Sequence, residues 1–466
     1  MTLTAPKIAP AAPQSILVRN PFDGTPVAEI AASTPVEIAR AVAAASAAQA
    51  EFRRSTPFER RTLLDALADR IAAHAEELAQ TICAEVGKTI REARNEVRRA
   101  QNTLRLSGDA ATFLDGEVLH CGIVSGGVDR RATITYEPTG VVGAVTPFNY
   151  PLNLLCHKLG PAIAAGNAVV AKPSPKAPLA AARLAELAIE AGFPKDLFQV
   201  VHGGAEAALS LARAPIDLLS FTGGPKAGLA LKNASGLVRC LMELGGNDPL
   251  FVFPDGDLDK AVATAVAHRF EIAGQSCAAV KRLFLHRDIE AEFTERLLAA
   301  VSAVTTGDPA LLETDMGPVI DADAASLVRQ RIEATLAGGA RLLAGGGGKD
   351  TLVEPTVLSG VDPQAPVVAD ETFGPVIAIR SFERAADAIA EVNAGSYGLQ
   401  AGVFTNDHAL VRQFSRDLLV GGIMVNEGPD FRAEHVPFGG IKSSGLGREG
   451  VRIAIREMSE TRVVID

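Results

Sequence analysis

Short apolar runs alternate with helical stretches from residue 141 to 242, and no other feature of the chain restricts its fold so tightly. The apolar runs lie at 141–145, 168–171, 198–201, 217–221 and 238–242, with helical patterns near 153–165, 177–191, 204–213 and 225–234 between them. Strands that alternate with helices form a parallel sheet covered on both faces. Sheets of this kind bind ligands at the C-terminal ends of their strands. Pro147-Phe148-Asn149-Tyr150-Pro151, Lys172-Pro173-Ser174-Pro175 and Phe221-Thr222-Gly223-Gly224 each follow a strand directly. Three polar or glycine-rich turns on one edge describe a nucleotide site. A second alternating unit follows Asn247, with strands at 250–253, 281–286, 376–381, 399–404 and 421–426 and helices near 258–272, 288–303, 383–392 and 407–418.

Before these units, Thr34-Pro35-Val36-Glu37 and Thr56-Pro57-Phe58-Glu59 each present a capping Thr, a Pro at the first helical position and a Glu at the third. The second opens a long helical region, interrupted near Gly87 and reaching about Leu114, with Leu63, Leu64, Leu67 and Ile71 on its packed face. From Ile123 to Tyr136 the pattern turns β-branched, as it does again at Thr461–Ile465, so these ends read as strands that pair with each other or between subunits. Gly338 to Lys349 reads as a surface loop around a short strand, and Met1 to Ser15, rich in Ala and Pro, as a disordered lead-in without signal-peptide character.

A net charge of −10 with no basic run argues against nucleic-acid binding, and no apolar stretch is long enough to span a bilayer. Cys83, Cys121, Cys156, Cys240 and Cys277 are odd in number, scattered and free of C-x-x-C spacing. That excludes a disulfide framework and a zinc site and suits a reducing, cytoplasmic setting. The literal G-x-G-x-x-G at Gly445–Gly450 follows no strand of a βαβ unit, and the chain ends too soon for an acidic ribose ligand. It reads as a glycine-rich turn into the last helix.

Two stretches carry chemistry. Met242-Glu243-Leu244-Gly245-Gly246-Asn247 sets a carboxylate, and Gly274-Gln275-Ser276-Cys277 a thiol, against glycines or small residues that admit close approach of backbone or ligand. A thiolate attacks a carbonyl carbon, and a carboxylate activates the water that releases the acyl group. Most cysteines are small buried hydrophobes and most loop carboxylates are solvated, so neither residue decides the matter alone.

The ordered set Pro147-Phe148-Asn149, Lys172-Pro173-Ser174, Phe221-Thr222-Gly223, Glu243-Leu244-Gly245-Gly246-Asn247, Gly274-Gln275-Ser276-Cys277, Glu371-Thr372-Phe373-Gly374-Pro375 and Pro437-Phe438-Gly439-Gly440-Ile441-Lys442 resembles the aldehyde dehydrogenase superfamily over about residues 15 to 464. The resemblance implies an α/β fold in three parts. A Rossmann-like NAD(P) domain would take 1–120 and 140–247, a catalytic domain 248–452, and a small β oligomerisation ribbon 121–139 and 453–466. It also implies a homodimer or homotetramer that oxidises an aldehyde to its acid with NAD or NADP and no metal. Cys277 would attack the carbonyl, the Asn149 amide and the Cys277 N–H would hold the oxyanion, and Glu243 would activate water. Lys172 would contact the adenosine ribose, Glu371 the nicotinamide ribose and Phe373 the nicotinamide ring. Phe221, Gly223, Gly224 and Leu244 would border the cofactor, with the helix after Gly224 facing the pyrophosphate. The plainer alternatives are a helix-capping Asn149, a solvated Glu243 and surface Lys172 and Glu371.

Pro175 stands where a Glu often binds the adenosine 2′-hydroxyl, so a 2′-phosphate would meet less repulsion and Ser174 or Lys176 could contact it. Gly224 replaces a frequent Ser. For the substrate, Tyr150, Ser276, Phe431, Arg432 and His435, with Arg105 as a further wall, suggest a short polar or anionic aldehyde. The sequence here is most similar to the lactaldehyde, non-phosphorylating glyceraldehyde-phosphate and phosphonate-aldehyde branches. The alternative is that these basic residues are solvated and paired with Glu427, Asp430 or Glu434. A CoA-acylating semialdehyde dehydrogenase, which does without the hydrolytic Glu, and a non-catalytic protein on the same scaffold are the competing readings.

Overall fold

The computed structural model describes residues 15–466, so the lead-in read at Met1 to Ser15 lies, but for Ser15, outside the described residues. The first alternating unit builds a six-stranded sheet in the order Gly445–Leu446, Arg239–Glu243, Leu218–Thr222, Val141–Val145, Ala168–Lys172, Phe198–Val200. All its pairings are parallel except the first. The helices Asn153–Ala165, Leu179–Glu190, Ala205–Arg213 and Pro225–Ala234 form the crossovers. Strands such as Val141–Val145, Ala168–Lys172 and Leu218–Thr222 are buried along their whole length, as a sheet covered on both faces requires.

The second unit gives a seven-stranded sheet, ordered Arg341–Ala344, Thr356–Ser359, Val376–Phe382, Arg282–His286, Pro249–Val252, Gln400–Phe404, Gly422–Val425, antiparallel only between its first two strands. Its core is built from Leu250, Leu283, Ile377 and Phe293, while that of the first unit gathers Val142, Val170, Leu219 and Leu155. The helix Ala322–Ala337 and the strand Thr356–Ser359 extend this unit beyond the alternation read from the sequence. The helix is alanine-rich, so its periodicity is weak, and it starts on an Asp321 cap that accepts from Ala324 N–H at 2.8 Å.

Both Thr-Pro-x-Glu signals are capping boxes. Thr34 opens Pro35–Phe52 and Thr56 opens Pro57–Ala73, with reciprocal bonds to Glu37 and Glu59. A third box, Thr89 with Glu92, opens Ile90–Ala111 and lacks the proline that made the other two visible. The long helical region is broken at His74 as well as at Gly87, where a left-handed φ of 77° ends the helix Ala75–Val86.

The ribbon is shorter than the β-branched pattern suggested. Its strand runs Arg131–Pro138, and Ile123 and Val124 lie exposed in the turn after Glu117–His120. Propensity alone did not show that Gly126 and Gly127 break the run. Ser459–Ile465 pairs antiparallel with Arg131–Pro138, and Glu117–His120 covers the other edge. Gly445–Leu446 pairs with Glu243 and Met242, then leads into the helix Val451–Glu457. The G-x-G-x-x-G therefore closes the sheet beside Glu243.

Buried charge ties the early helices to the site. Lys88 Nζ donates to Glu96 Oε2 at 2.6 Å with both side chains fully buried, and Glu96 Oε1 accepts from the N–H groups of Leu152 and Asn153. Glu96 thus caps, from another helix, the helix that follows Asn149.

Candidate active site

The turn after Val141–Val145 carries Asn149 and Tyr150, the end of Arg239–Glu243 carries Glu243, and the loop before Arg282–His286 carries Cys277. All four line one cavity of about 250 Å³. Thr222, Gly223, Gly224, Leu244, Gly245, Glu371 and Phe373 line the same cavity, so the thiol sits where the turns of the first sheet meet the second.

The cysteine loop is held in a costly shape. Ile272 and Ala273 both adopt φ of 51°, a left-handed conformation that costs an L-residue about 1–2 kcal/mol. Glu92, the capping residue of a distant helix, accepts from Ile272 N–H at 2.9 Å. Gln275 Nε2 donates to Ile272 O at 3.0 Å while its Oε1 accepts from Ile320 N–H at 2.9 Å. Lys281, fully buried, donates to the carbonyls of Ser276 at 2.8 Å and Cys277 at 2.6 Å, with Glu371 Oε1 3.6 Å away. Sequence reading passed over Lys281 and Glu92; nothing in a lone Lys or a capping Glu signals a clamp on a distant loop.

Asn149 Nδ2 donates to Gln275 O at 2.9 Å. That bond fixes the amide's orientation and leaves its second N–H for another acceptor. Glu243 is buried with Oε2 unpartnered among the described residues. Burial, reinforced by nearby Glu449, raises its carboxyl well above the ordinary range, which suits a base rather than a permanent anion. Burial likewise pushes the Cys277 thiol up, with Asp430 adding to the effect and Lys281 opposing it.

Beyond the thiol, the cavity is walled by charge. Arg432 lies over the Phe438 ring at 4.2 Å, donates to Glu449 Oε2 at 3.0 Å and has Glu434 Oε2 3.8 Å away. Lys158 donates to Glu449 Oε1 at 2.8 Å. Burial opposes charge on Glu449, but Lys158 and Arg432 hold its carboxyl far below the usual range. Burial also opposes charge on Glu434, yet the His157 hydrogen bond and Arg99 hold it down at about 2. Arg432 therefore lines the cavity with its charge already matched, by Glu434 as the sequence allowed and by Glu449, which it did not suggest.

Three substrate residues named from the sequence lie elsewhere. Arg105 pairs with Asp69 on the outer face, because its helical phase points away from the cavity, and Arg99 of the same helix lines it instead. Phe431 is 54% exposed, and His435 lines a separate surface depression with Val451 and Ile455. Ser276 is buried and lines the cavity. Asp430, Asn153 and Arg99 also line it and were missed as wall residues. Tyr150 donates to Glu271 Oε1 at 3.2 Å and carries Lys88 Nζ 3.7 Å above its ring.

The residues around the cavity fit a dinucleotide. Glu371 accepts from Gly246 N–H at 3.1 Å, and Phe373 meets Phe148 edge-on at 6.0 Å. Gly224 caps the helix Pro225–Ala234 without any side-chain bond, and a Cβ there would meet open space. Phe221 does not face the cavity: it is buried beneath Gly223, where a Cβ would strike its ring. Lys172, Ser174 and Lys176 follow the neighbouring strand, outside the cavity around Cys277. Lys172 donates to the carbonyls of Pro173 and Gly203, and burial lowers it to about 8. Ser174 Oγ accepts from Lys176 N–H at 3.2 Å, and the Lys176 ammonium pairs with Asp321. Among the described residues, no group of three His, Cys, Asp or Glu is placed to hold a metal.

A parallel sheet with nucleotide-type turns at its strand ends, opening on a thiol and an acid, is an arrangement suited to a nucleotide-dependent oxidoreductase. The aldehyde dehydrogenase family model matches residues 8–464, and the chain belongs to that family. It is 40% identical to an aspartate-semialdehyde dehydrogenase of Pseudomonas canavaninivorans, with 96% of each chain covered. It is 38% identical to a sulfoacetaldehyde dehydrogenase of Neptuniibacter caesariensis, covering 96% of this chain and 98% of that one. Among solved structures, the glyceraldehyde-3-phosphate dehydrogenase GapN of Methanocaldococcus jannaschii, complexed with NADP, superposes with a TM-score of 0.93 at 34% identity, over 97% and 98% of the two chains. The protein is an NAD(P)-dependent dehydrogenase that oxidises aldehydes to acids.

Because burial disfavours the thiolate, alkylation of Cys277 by iodoacetamide in the cofactor-free enzyme is predicted to climb about tenfold per pH unit and to keep climbing past pH 9. A plateau near neutral pH, with the alkyl group mapped to Cys277, contradicts this environment for the thiol.

Proposed function

We propose that the chain oxidises a short polar or anionic aldehyde by covalent catalysis, with Cys277 as nucleophile, Asn149 as oxyanion donor and Glu243 as hydrolytic base. The observation that carries this reading is the convergence of all three on one cavity. Cys277 Sγ adds to the aldehyde carbon, and the free Asn149 N–H with the Cys277 backbone N–H receives the oxyanion where charge develops. Glu371, Phe373, Leu244 and the Gly223-Gly224 turn would hold NAD or NADP, which would supply the hydride acceptor. Glu243, unpartnered and with its proton affinity raised, then takes a proton from the water that cleaves the Cys277 thioester. Keeping that acid in the cavity favours hydrolysis over transfer to CoA.

The guanidinium nitrogens of Arg99, whose terminal pair makes no hydrogen bond among the described residues, support a polar substrate. So do the aspartate-semialdehyde and sulfoacetaldehyde dehydrogenases among the relatives. Pro175 beside Ser174, with the NADP complex of the structural relative, supports use of NADP. The free and scattered cysteines support a cytoplasmic setting, and no helix of the described residues is long and apolar enough to cross a membrane. Exposed Val463, Val464 and Ile465 on one edge strand, with Val118 and Leu119 on the other, support assembly through the ribbon.

In Glu243→Gln, a first burst of NAD(P)H should persist while steady turnover falls by about a hundredfold or more. Full steady turnover would remove Glu243 from the mechanism, and the same assay run with each cofactor shows whether NADP is accepted. Sedimentation at micromolar concentration should give a dimer or tetramer; a single monomer mass would overturn assembly through the ribbon.

A further inference from the structure

Outside the catalytic set, one carboxylate of the cavity has an oxygen that accepts no hydrogen bond among the described residues, with the Arg99 guanidinium within electrostatic reach of it. Asp430 lines the cavity with Cys277, and its Oδ2 is buried without a hydrogen-bond partner among the described residues. Its neighbours in the wall are committed elsewhere. Arg432 is engaged by Glu449 and lies near Glu434, and Lys158 is held by Glu449. The Tyr150 hydroxyl is given to Glu271. Arg99 is the exception: among the described residues it donates only from Nε, to Glu434, and its terminal nitrogens make no hydrogen bond, although Asp430 lies within electrostatic reach.

A desolvated carboxylate oxygen without a donor is expensive, and a protein tolerates one mainly where a ligand completes it. We propose that Asp430 is a specificity-determining residue that accepts a hydrogen bond from a donor on the substrate's own chain, a hydroxyl or an ammonium. The preferred aldehydes are therefore those that bring a donor with the carbonyl, and an added anionic terminus would meet Arg99. This rests on the aldehyde-oxidation reading and narrows its substrate class.

The same carboxylate bears on the nucleophile. After burial, Asp430 is the next contributor holding the Cys277 thiol up, so an ammonium donor, whose charge offsets that of Asp430, favours the thiolate, whereas a hydroxyl donor acts on binding alone. An aldehyde without a cationic donor leaves that coulombic effect on the thiol in place. For an ammonium-bearing substrate, selection thus acts on reactivity as well as on binding.

The test compares kcat/KM within two matched pairs: propanal against 2-hydroxypropanal for a hydroxyl, and succinic semialdehyde against aspartate semialdehyde for an ammonium. The wild-type enzyme should favour the donor-bearing member of at least one pair by about tenfold or more, and Asp430→Leu should bring that ratio close to one. Asp430→Asn should keep part of a hydroxyl preference and lose an ammonium preference, which separates the two donors. In the cofactor-free enzyme, Asp430→Asn should also speed alkylation of Cys277 at a fixed pH. Ratios near one in the wild type, or a preference that survives Asp430→Leu, overturn the assignment and leave aldehyde oxidation standing. Absence of NAD(P)H from every aldehyde would overturn the underlying reading as well.

Discussion

The site depends on how closely the backbone at Gly245-Gly246 is packed. A Cβ on Gly245 would run into the Glu371 carboxylate, and one on Gly246 into the Cys277 carbonyl. These two residues lie in the link from Arg239–Glu243 of the first sheet to Pro249–Val252 of the second. The pair of glycines therefore brings the acid at Glu243, the loop that ends in Cys277 and the carboxylate at Glu371 to one place. Gly439 makes the same concession on the other side, because a side chain there would strike Glu243 Oε1. Small residues around the catalytic pair serve less to admit a ligand than to let three backbones and two carboxylates meet.

Around that junction the interior is unusually polar, and the charges come in matched sets. Lys88 answers Glu96, Lys158 and Arg432 answer Glu449, Arg99 and His157 answer Glu434, and Lys281 answers Glu371. Such pairs contribute little net stability, since desolvation offsets most of their attraction, but they fix geometry. Lys281 shows what that achieves: one buried ammonium holds two successive carbonyls of the nucleophile loop and lies near the acid that faces the cofactor. Among the groups left without a partner in the described residues, three line the cavity around Cys277 as oxygen acceptors: Glu243 Oε2, Asn149 Oδ1 and Asp430 Oδ2. Two of the three belong to the proposed chemistry.

The sheet of residues 141–243 was legible because fully buried strands read as continuous apolar runs, and its helices at Asn153–Ala165 and Pro225–Ala234 begin and end where the pattern placed them. The second sheet was legible in part. Ala322–Ala337 was not read because alanine gives a weak stripe, and Thr356–Ser359 because four residues carry too little period. Within the site, Cys277, Glu243 and Asn149 were reachable through motifs, whereas the substrate wall was not. Arg99 and Arg105 share one helix and look alike in sequence, and only helical phase separates the residue in the cavity from the one on the surface. Phe431 and Arg432 are adjacent, yet one turns outward while the other lies over the Phe438 ring. Glu92 and Lys281 act on the nucleophile loop across the tertiary fold, and no local pattern announces such a bond.

The central claim is that the carbon being oxidised is bonded to Cys277 while Glu243 stands ready to release it. Peptide mapping by mass spectrometry of Glu243→Gln, acid-quenched after a single turnover with aldehyde and NADP, tests this most directly. The account predicts an acyl group of the substrate's mass on the peptide that holds Cys277, in proportion to the NADPH formed. NADPH formed with no acyl adduct, or an adduct on another cysteine, would contradict it.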